Sequence, residues 1–176
     1  MNREKYELEK ATNKHHVATP RALVEDIYDF IDIKNYKSIW LPFDNYDSEF
    51  KLLADELDLN YKATHLYDEA GNDFFKTAPP EDCDLLISNP PFNLQNEIIE
   101  RVYKLVKEKQ IKAFCLLLPL STLETPRRSE VWQKLSDKLS IVILKKRIKF
   151  KDKKTTFNAC CCWMLYNIKK EKLFWK

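Results

Sequence analysis

Apolar positions along this chain switch repeatedly between two periods. Leu23, Val24, Ile27 and Ile31 recur at helical spacing, as do Phe50, Leu53, Ala54 and Leu57, and then Leu94, Ile98, Val102 and Leu105 or Val106. Each set predicts an amphipathic helix with one buried face. Thr19 is read as the cap of the first helix, with Pro20 at its first position and its end at Ile33. Ser48 is read as the cap of the second, and Asn93 as the cap of the third, which runs from Leu94 to about Lys107. A fourth helix opens at Thr125-Pro126 and carries Val131, Trp132 and Leu135. Between the helices lie short apolar runs that read as strands: Ser38 to Leu41, Tyr61 to Leu66, Leu85 to Ile87, Ile111 to Leu118 and Leu139 to Leu144. Arg147 to Phe150 and Phe157 to Leu165 follow with no helix between them and predict an antiparallel closing pair at the sheet edge. Alternating strand and helix imply an α/β fold, a three-layer αβα sandwich with a mostly parallel sheet.

The stretch Asp84-Leu85-Leu86-Ile87-Ser88-Asn89-Pro90-Pro91-Phe92 is the point on which function turns. An apolar run suits a strand covered on both faces, and the two prolines lack backbone donors, so the ladder stops with Asn89 as its last residue. The Asn89 carboxamide oxygen and the Pro90 carbonyl can converge on one small space beside the flat face of Phe92. Such a pair of acceptors suits an exocyclic amino group on a planar base. That nitrogen is a poor nucleophile because its lone pair is delocalised into the ring. Holding both N–H bonds draws it toward tetrahedral geometry and frees the lone pair. Positioning of this kind can supply roughly 7–11 kcal/mol of a barrier, and stacking on an aromatic face about 1–3 kcal/mol of binding.

Asn89-Pro90-Pro91-Phe92 resembles the fourth motif of the S-adenosylmethionine-dependent amino-group methyltransferases, Asp/Asn/Ser-Pro-Pro-Tyr/Phe/Trp. The resemblance spans roughly residues 15 to 166 and implies a Rossmann-like class I methyltransferase fold. It implies catalytic roles for Asn89, Pro90, Pro91 and Phe92, and S-adenosylmethionine as cofactor. Thr19 and Pro20 match a Thr-Pro that helps to form the pocket for the cofactor's methionine end. Pro42, Phe43 and Asp44 follow the first strand where the first cofactor motif stands. His65 and Asp68 lie where an acid for the ribose is usual, and Asp73 and Phe74 match the acid and aromatic that hold the adenine. Trp40 to Asp44 and Gly71 to Phe75 also resemble turns of small phage-type adenine-specific enzymes. The departure from the pattern is the first turn, which is normally glycine-rich, whereas Gly71 is the single glycine of the chain.

At 176 residues the chain suits one trimmed domain over 15–176, with 1–14 as a flexible or loosely docked arm. Its longest apolar run, Ala113 to Leu120, is too short to span a bilayer, and the amino terminus is charged, so a cytoplasmic protein without a membrane partner is expected. The five cysteines show no zinc-type spacing and read as reduced, buried small hydrophobes, with no metal expected. Neighbours in the Cys160-Cys161-Cys162 run would point to opposite faces of a strand.

Charge is unevenly placed. Lys145, Lys146, Arg147, Lys149, Lys151, Lys153 and Lys154 crowd one stretch, whereas residues 44 to 100 are acidic. That asymmetry points to a nucleic-acid partner, DNA ahead of RNA, met through phosphates. The same stretch also reads as a solvated lysine-rich hairpin. A phosphate-binding loop, a zinc-protease helix, a nucleophile elbow and an internal repeat are all missing. The leading expectation is methylation of an adenine amino group. A methyltransferase-fold binding protein without turnover and a protein glutamine methyltransferase are the alternatives. Oligomeric state is left open.

Overall fold

The computed structural model describes residues 18–66, 71–150 and 159–176. Within them lie strands β1 (Ile39–Leu41), β2 (Tyr61–Ala63), β3 (Cys83–Ser88), β4 (Ile111–Pro119), β5 (Leu139–Ile143), β6 (Cys161–Tyr166) and β7 (Leu173–Trp175). Helices α1 (Arg21–Ile31), α2 (Glu49–Glu56), α3 (Gln95–Lys107) and α4 (Pro126–Leu135) connect them, with short 3-10 turns at Ile33–Asn35, Phe92–Leu94 and Leu120–Leu123. The strands form one sheet in the order β2-β1-β3-β4-β6-β5-β7. β1 pairs in parallel with β2 and β3, and β3 with β4, whereas β6 is antiparallel to both β4 and β5.

Over Leu85–Ile87 and Ala113–Leu118 the central strands are apolar because helices cover both faces of the sheet. Ala113, Cys115 and Leu117 of β4 face one core with Leu85, Ile87, Trp163 and the α1 residues Val24 and Ile27. Phe114, Leu116 and Leu118 face the other, with Leu86, Met164 and Ile98 and Val102 of α3. Period-two alternation thus divides one apolar strand between two cores. Removing a side chain such as Leu116, fully buried, should cost about 2–5 kcal/mol.

Several local expectations are corrected. Thr19 does not cap α1: Pro20 is the N-cap residue, and the helix ends at Ile31, with Asp32 in the left-handed region at φ 55°. Ser48 stands at the N-cap of α2 without a capping side-chain bond. Asn93 lies inside a 3-10 turn, and α3 starts at Gln95. The hydroxyls of Thr19 and Ser48 are instead engaged by Asn89 and by Asp44, as described below. Ladder pairing ends at Ser88 rather than Asn89, and β2 stops at Ala63.

Residues 147–150 are not a strand. β6 already has β4 on one side and β5 on the other, which leaves no edge for them. Their alternation is nonetheless expressed in packing, since Ile148 and Phe150 are buried while Arg147 and Lys149 are exposed. The antiparallel pairings are instead those of β6 with β4 and with β5. β7, parallel to β5 at the sheet edge, is an element the apolar pattern did not reveal.

Cys161 packs in one core and Cys162 in the other, on opposite faces of β6. Cys83, Cys115, Cys161 and Cys162 are buried, whereas Cys160 is exposed. Burial pushes the thiols of Cys83, Cys161 and Cys162 up to about 12, and that of Cys115 well above its ordinary value. Brief iodoacetamide treatment of the folded protein near pH 8 should therefore alkylate Cys160 alone, and unfolding should open the other four. Rapid labelling of Cys161 or Cys162 in the native state would contradict this packing.

Candidate active site

Because β1 to β4 are parallel, their carboxyl ends reach one edge of the sheet, and β5 ends there too. The chain leaves β1 toward β2 on one side and returns to β3 on the other, so the order reverses between β1 and β3. Ligands of open α/β sheets sit at such a crevice. Two turns flank it: Pro42-Phe43-Asp44 after β1 and Asn89-Pro90-Pro91-Phe92 after β3.

The two turns are joined by side chains. Asp44 is only 7% exposed, and its carboxylate accepts hydrogen bonds from the hydroxyls of Ser48 and Ser88, the latter at 3.3 Å. Ser88 is the last residue of β3 and fully buried. Asp44 thereby ties the end of β1 to the end of β3 and to the start of α2. No residue between Leu41 and Ser48 has a positive φ, so the backbone path of this turn needs no glycine. The carboxylate closes the turn instead.

Asn89 is half-buried, and Pro90 and Pro91 are buried behind it. Its amide nitrogen donates to Thr19 Oγ1 at 3.0 Å. Thr19 is itself 7% exposed, so the residue expected beside the cofactor's methionine end holds the carboxamide. With Nδ2 committed to Thr19, Oδ1 occupies the other branch of the planar amide. Phe92 is half-buried and packs against both cores.

Asp73 and Phe74 reach this edge through a long-range aromatic cluster. Phe43 and Phe74 have ring centroids 4.7 Å apart, and Trp40 and Phe74 5.4 Å. The residue before Asp44 thus packs on the residue after Asp73, which brings the two acids to neighbouring turns. Asp73 Oδ1 accepts from the Phe75 N–H at 2.9 Å, so this acid also shapes its own turn. Arg101 of α3 supports that turn from beneath, donating to the Thr77 carbonyl at 2.9 Å with its guanidinium 5.4 Å from the Phe74 ring centre. Burial lowers the pKa of Arg101, and the nearby Asp73 carboxylate opposes that shift. His65, half-buried, follows β2 just after Thr64, which accepts from Trp40 Nε1 at 3.0 Å.

Sequence reasoning missed Ser88, Ser48 and Arg101 as supports. The one visible signal was a serine closing an apolar strand. Lys145, Lys146, Arg147 and Lys149 are exposed just after β5, at the same edge. Asp68, Lys151, Lys153 and Lys154, and the arm 1–14, lie outside the described residues. Among the described residues no group of three or more His, Cys, Asp or Glu is placed to hold a metal, and no helix is long and apolar enough to cross a membrane.

No family model and no curated protein matches this sequence. Solved structures do match in fold. A modification subunit assigned to a type I restriction enzyme of Vibrio vulnificus aligns with a TM-score of 0.54 at 12% identity, covering 94% of this chain and 47% of that one. The 23S rRNA methyltransferase ErmE aligns with a TM-score of 0.57 at 11% identity, covering 89% and 71%. A Listeria monocytogenes chain assigned to the class I S-adenosylmethionine-dependent methyltransferases gives 0.52 at 14%, covering 92% and 67%. The chain spans about half the length of the restriction-enzyme subunit. At such identities the likeness is one of architecture, and the architecture of this chain is the Rossmann-like class I methyltransferase fold.

Proposed function

We propose that this chain is an S-adenosylmethionine-dependent methyltransferase acting on the exocyclic amino group of a nucleic-acid base, adenine foremost. The observation that carries the reading is the Asn89 carboxamide, fixed by Thr19 at the end of β3 directly beside the Asp44 turn. Two of the matching structures, ErmE and the restriction-enzyme modification subunit, are by description nucleic-acid-modifying proteins, which supports this substrate class.

The residues present fit a cationic nucleoside cofactor. Asp44 and Asp73 supply carboxylates for hydroxyl, amino or ammonium groups, and Phe43, in contact with Phe74 but only half-buried, supplies an apolar surface for a ring. Pro42, His65 and the Thr19-Pro20 pair border the same edge. When bound, the cofactor supplies an electrophilic methyl on a sulfonium. The chain's own part is to hold the amino nitrogen. Asn89 Oδ1 and the Pro90 carbonyl accept its two N–H bonds, Phe92 stacks on the ring, and the lone pair is left pointing away from the acceptors. On methylation of that nitrogen these acceptors would pass one amino proton to water. No strong base is required, because the proton becomes acidic only once the nitrogen carries four bonds.

Titration of the purified protein with S-adenosylmethionine and S-adenosylhomocysteine tests the first half of this reading. Saturable binding is expected, weakened by Asp73→Ala. Silence at millimolar cofactor would leave a methyltransferase-fold binding protein without turnover.

A further inference from the structure

A cavity of about 470 Å³ lies off the same sheet edge, between α1 and the segment that follows β5. That volume is within the range of about 300–1,000 Å³ found for small-molecule sites. Its reachable apolar walls are Ala22 and Leu23 of α1 and Leu144, with Ile27 and Trp163, 0% and 1% exposed, packed behind them. Exposed Lys145, Lys146, Arg147 and Lys149 line it as well and form its cationic rim. Asp26, the one acidic side chain of the lining, is 3.8 Å from the ammonium of Lys176, which also lines the cavity.

An apolar pocket under a ring of cations is complementary to a flat heterocycle joined to a phosphate. It is not the place where an amino group would meet Asn89, since none of Asn89, Pro90, Pro91 and Phe92 lines it. The two are nevertheless adjacent: Thr19 holds Asn89, and Pro20, the next residue, lines the cavity. A strand that delivers one base to Asn89 would carry its neighbour past this opening. Resting on the nucleic-acid reading above, we infer that the cavity between α1 and residues 144–149 holds a second nucleotide of a single-stranded substrate, its base against Leu23 and Leu144 and its phosphate on the surrounding cations. The lysines bind phosphate as mobile point charges, and the apolar walls take whichever base faces them.

The test is the affinity of the whole protein for short single-stranded oligoadenylates, as DNA and as RNA, over a salt series. S-adenosylhomocysteine is present throughout to occupy the cofactor position. Leu23→Trp fills the cavity and should weaken binding roughly 5- to 150-fold, the range of one lost base contact. Lys146→Glu with Arg147→Glu, both at exposed positions, should weaken binding and flatten the logarithmic salt slope by about 0.7 for each phosphate contact removed. Melting temperature and S-adenosylhomocysteine affinity should stay at wild-type values in both. If the charge-reversed protein loses affinity while folded Leu23→Trp does not, the rim acts alone and the cavity is not a nucleotide site. If both variants bind like wild type, the cavity assignment fails and the nucleic-acid reading survives. If wild type binds no strand, both fall together. Adenosine monophosphate binding as tightly as the oligonucleotide would assign the cavity to a small ligand and overturn the proposal.

Discussion

Asn89→Ala is expected to lower methyl transfer by about 10²- to 10³-fold, the typical cost of removing one preorganised hydrogen-bonding group from a reacting centre, while S-adenosylmethionine still binds. The substitution deletes Oδ1, one of the two acceptors proposed for the amino group, and it leaves Pro90 and Pro91 to hold the turn. It also removes the Nδ2 bond to Thr19, a contact worth about 1 kcal/mol, so the fold should persist. Two further variants separate acceptor chemistry from orientation. Asn89→Asp keeps an acceptor toward the base, and the Thr19 hydroxyl can donate to its second oxygen, so it should retain more transfer than Asn89→Ala. Thr19→Val removes the partner that fixes the amide and should lower turnover. Radiolabelled methyl incorporation into mixed DNA and RNA pools, beside calorimetry on the same proteins, reads all three. Absence of transfer by wild type, or full transfer by Asn89→Ala, would sink the amino-group mechanism.

Asp44→Ala should act on stability and on the cofactor together. The Ser88 hydroxyl is fully buried and loses the carboxylate it donates to, at a cost of about 1–3 kcal/mol. Ser48 is half-buried and can turn to water, so it adds less. For a domain of this size the sum lowers the melting temperature by roughly 2–12 °C, at about 2–4 °C per kcal/mol. Affinity for S-adenosylmethionine should fall at least about tenfold, or 1.4 kcal/mol, because the acid at the β1 end is gone. Asp44→Asn isolates the two effects. Its carbonyl oxygen can still accept from one serine, so melting should recover in part, whereas the lost charge keeps cofactor affinity low. Unchanged affinity in a folded Asp44→Ala protein would remove this acid from the cofactor site.

What could be read from the residues depended on whether the deciding contact was local. The β3 strand and the turn after it were legible because a run of apolar residues followed by two prolines leaves the backbone few alternatives. Helix caps were not. Thr19 and Ser48 have the right chemistry at the right spacing, but Thr19 is taken by a residue 70 positions away, and Ser48 has a competing acceptor in Asp44, four positions earlier. Residues 147–150 show the same limit in another form. Their alternation forecast which side chains would be buried, yet pairing depends on a free strand edge, and that is decided by β6. β7 escaped notice because three apolar residues among lysines carry almost no periodic signal. At the site, Asp44 and Asn89 were identifiable as residues, whereas the Ser88 bridge that joins their turns, and the Phe43–Phe74 contact that gathers the two acids, belong to tertiary structure alone.

The position of β6 also constrains how the protein is made. It sits between β4 and β5 but follows both in the chain, so the ribosome releases two strands that cannot yet meet their shared partner. Until Tyr166 has emerged, β4 offers an open edge carrying Phe114 and the run Leu116 to Leu118, the kind of surface that recruits other chains. Long-range pairing of this sort is slow to form. A nascent chain stalled before Cys161 is therefore the species most in need of a chaperone, and any fragment ending there should be insoluble however well its first half is built.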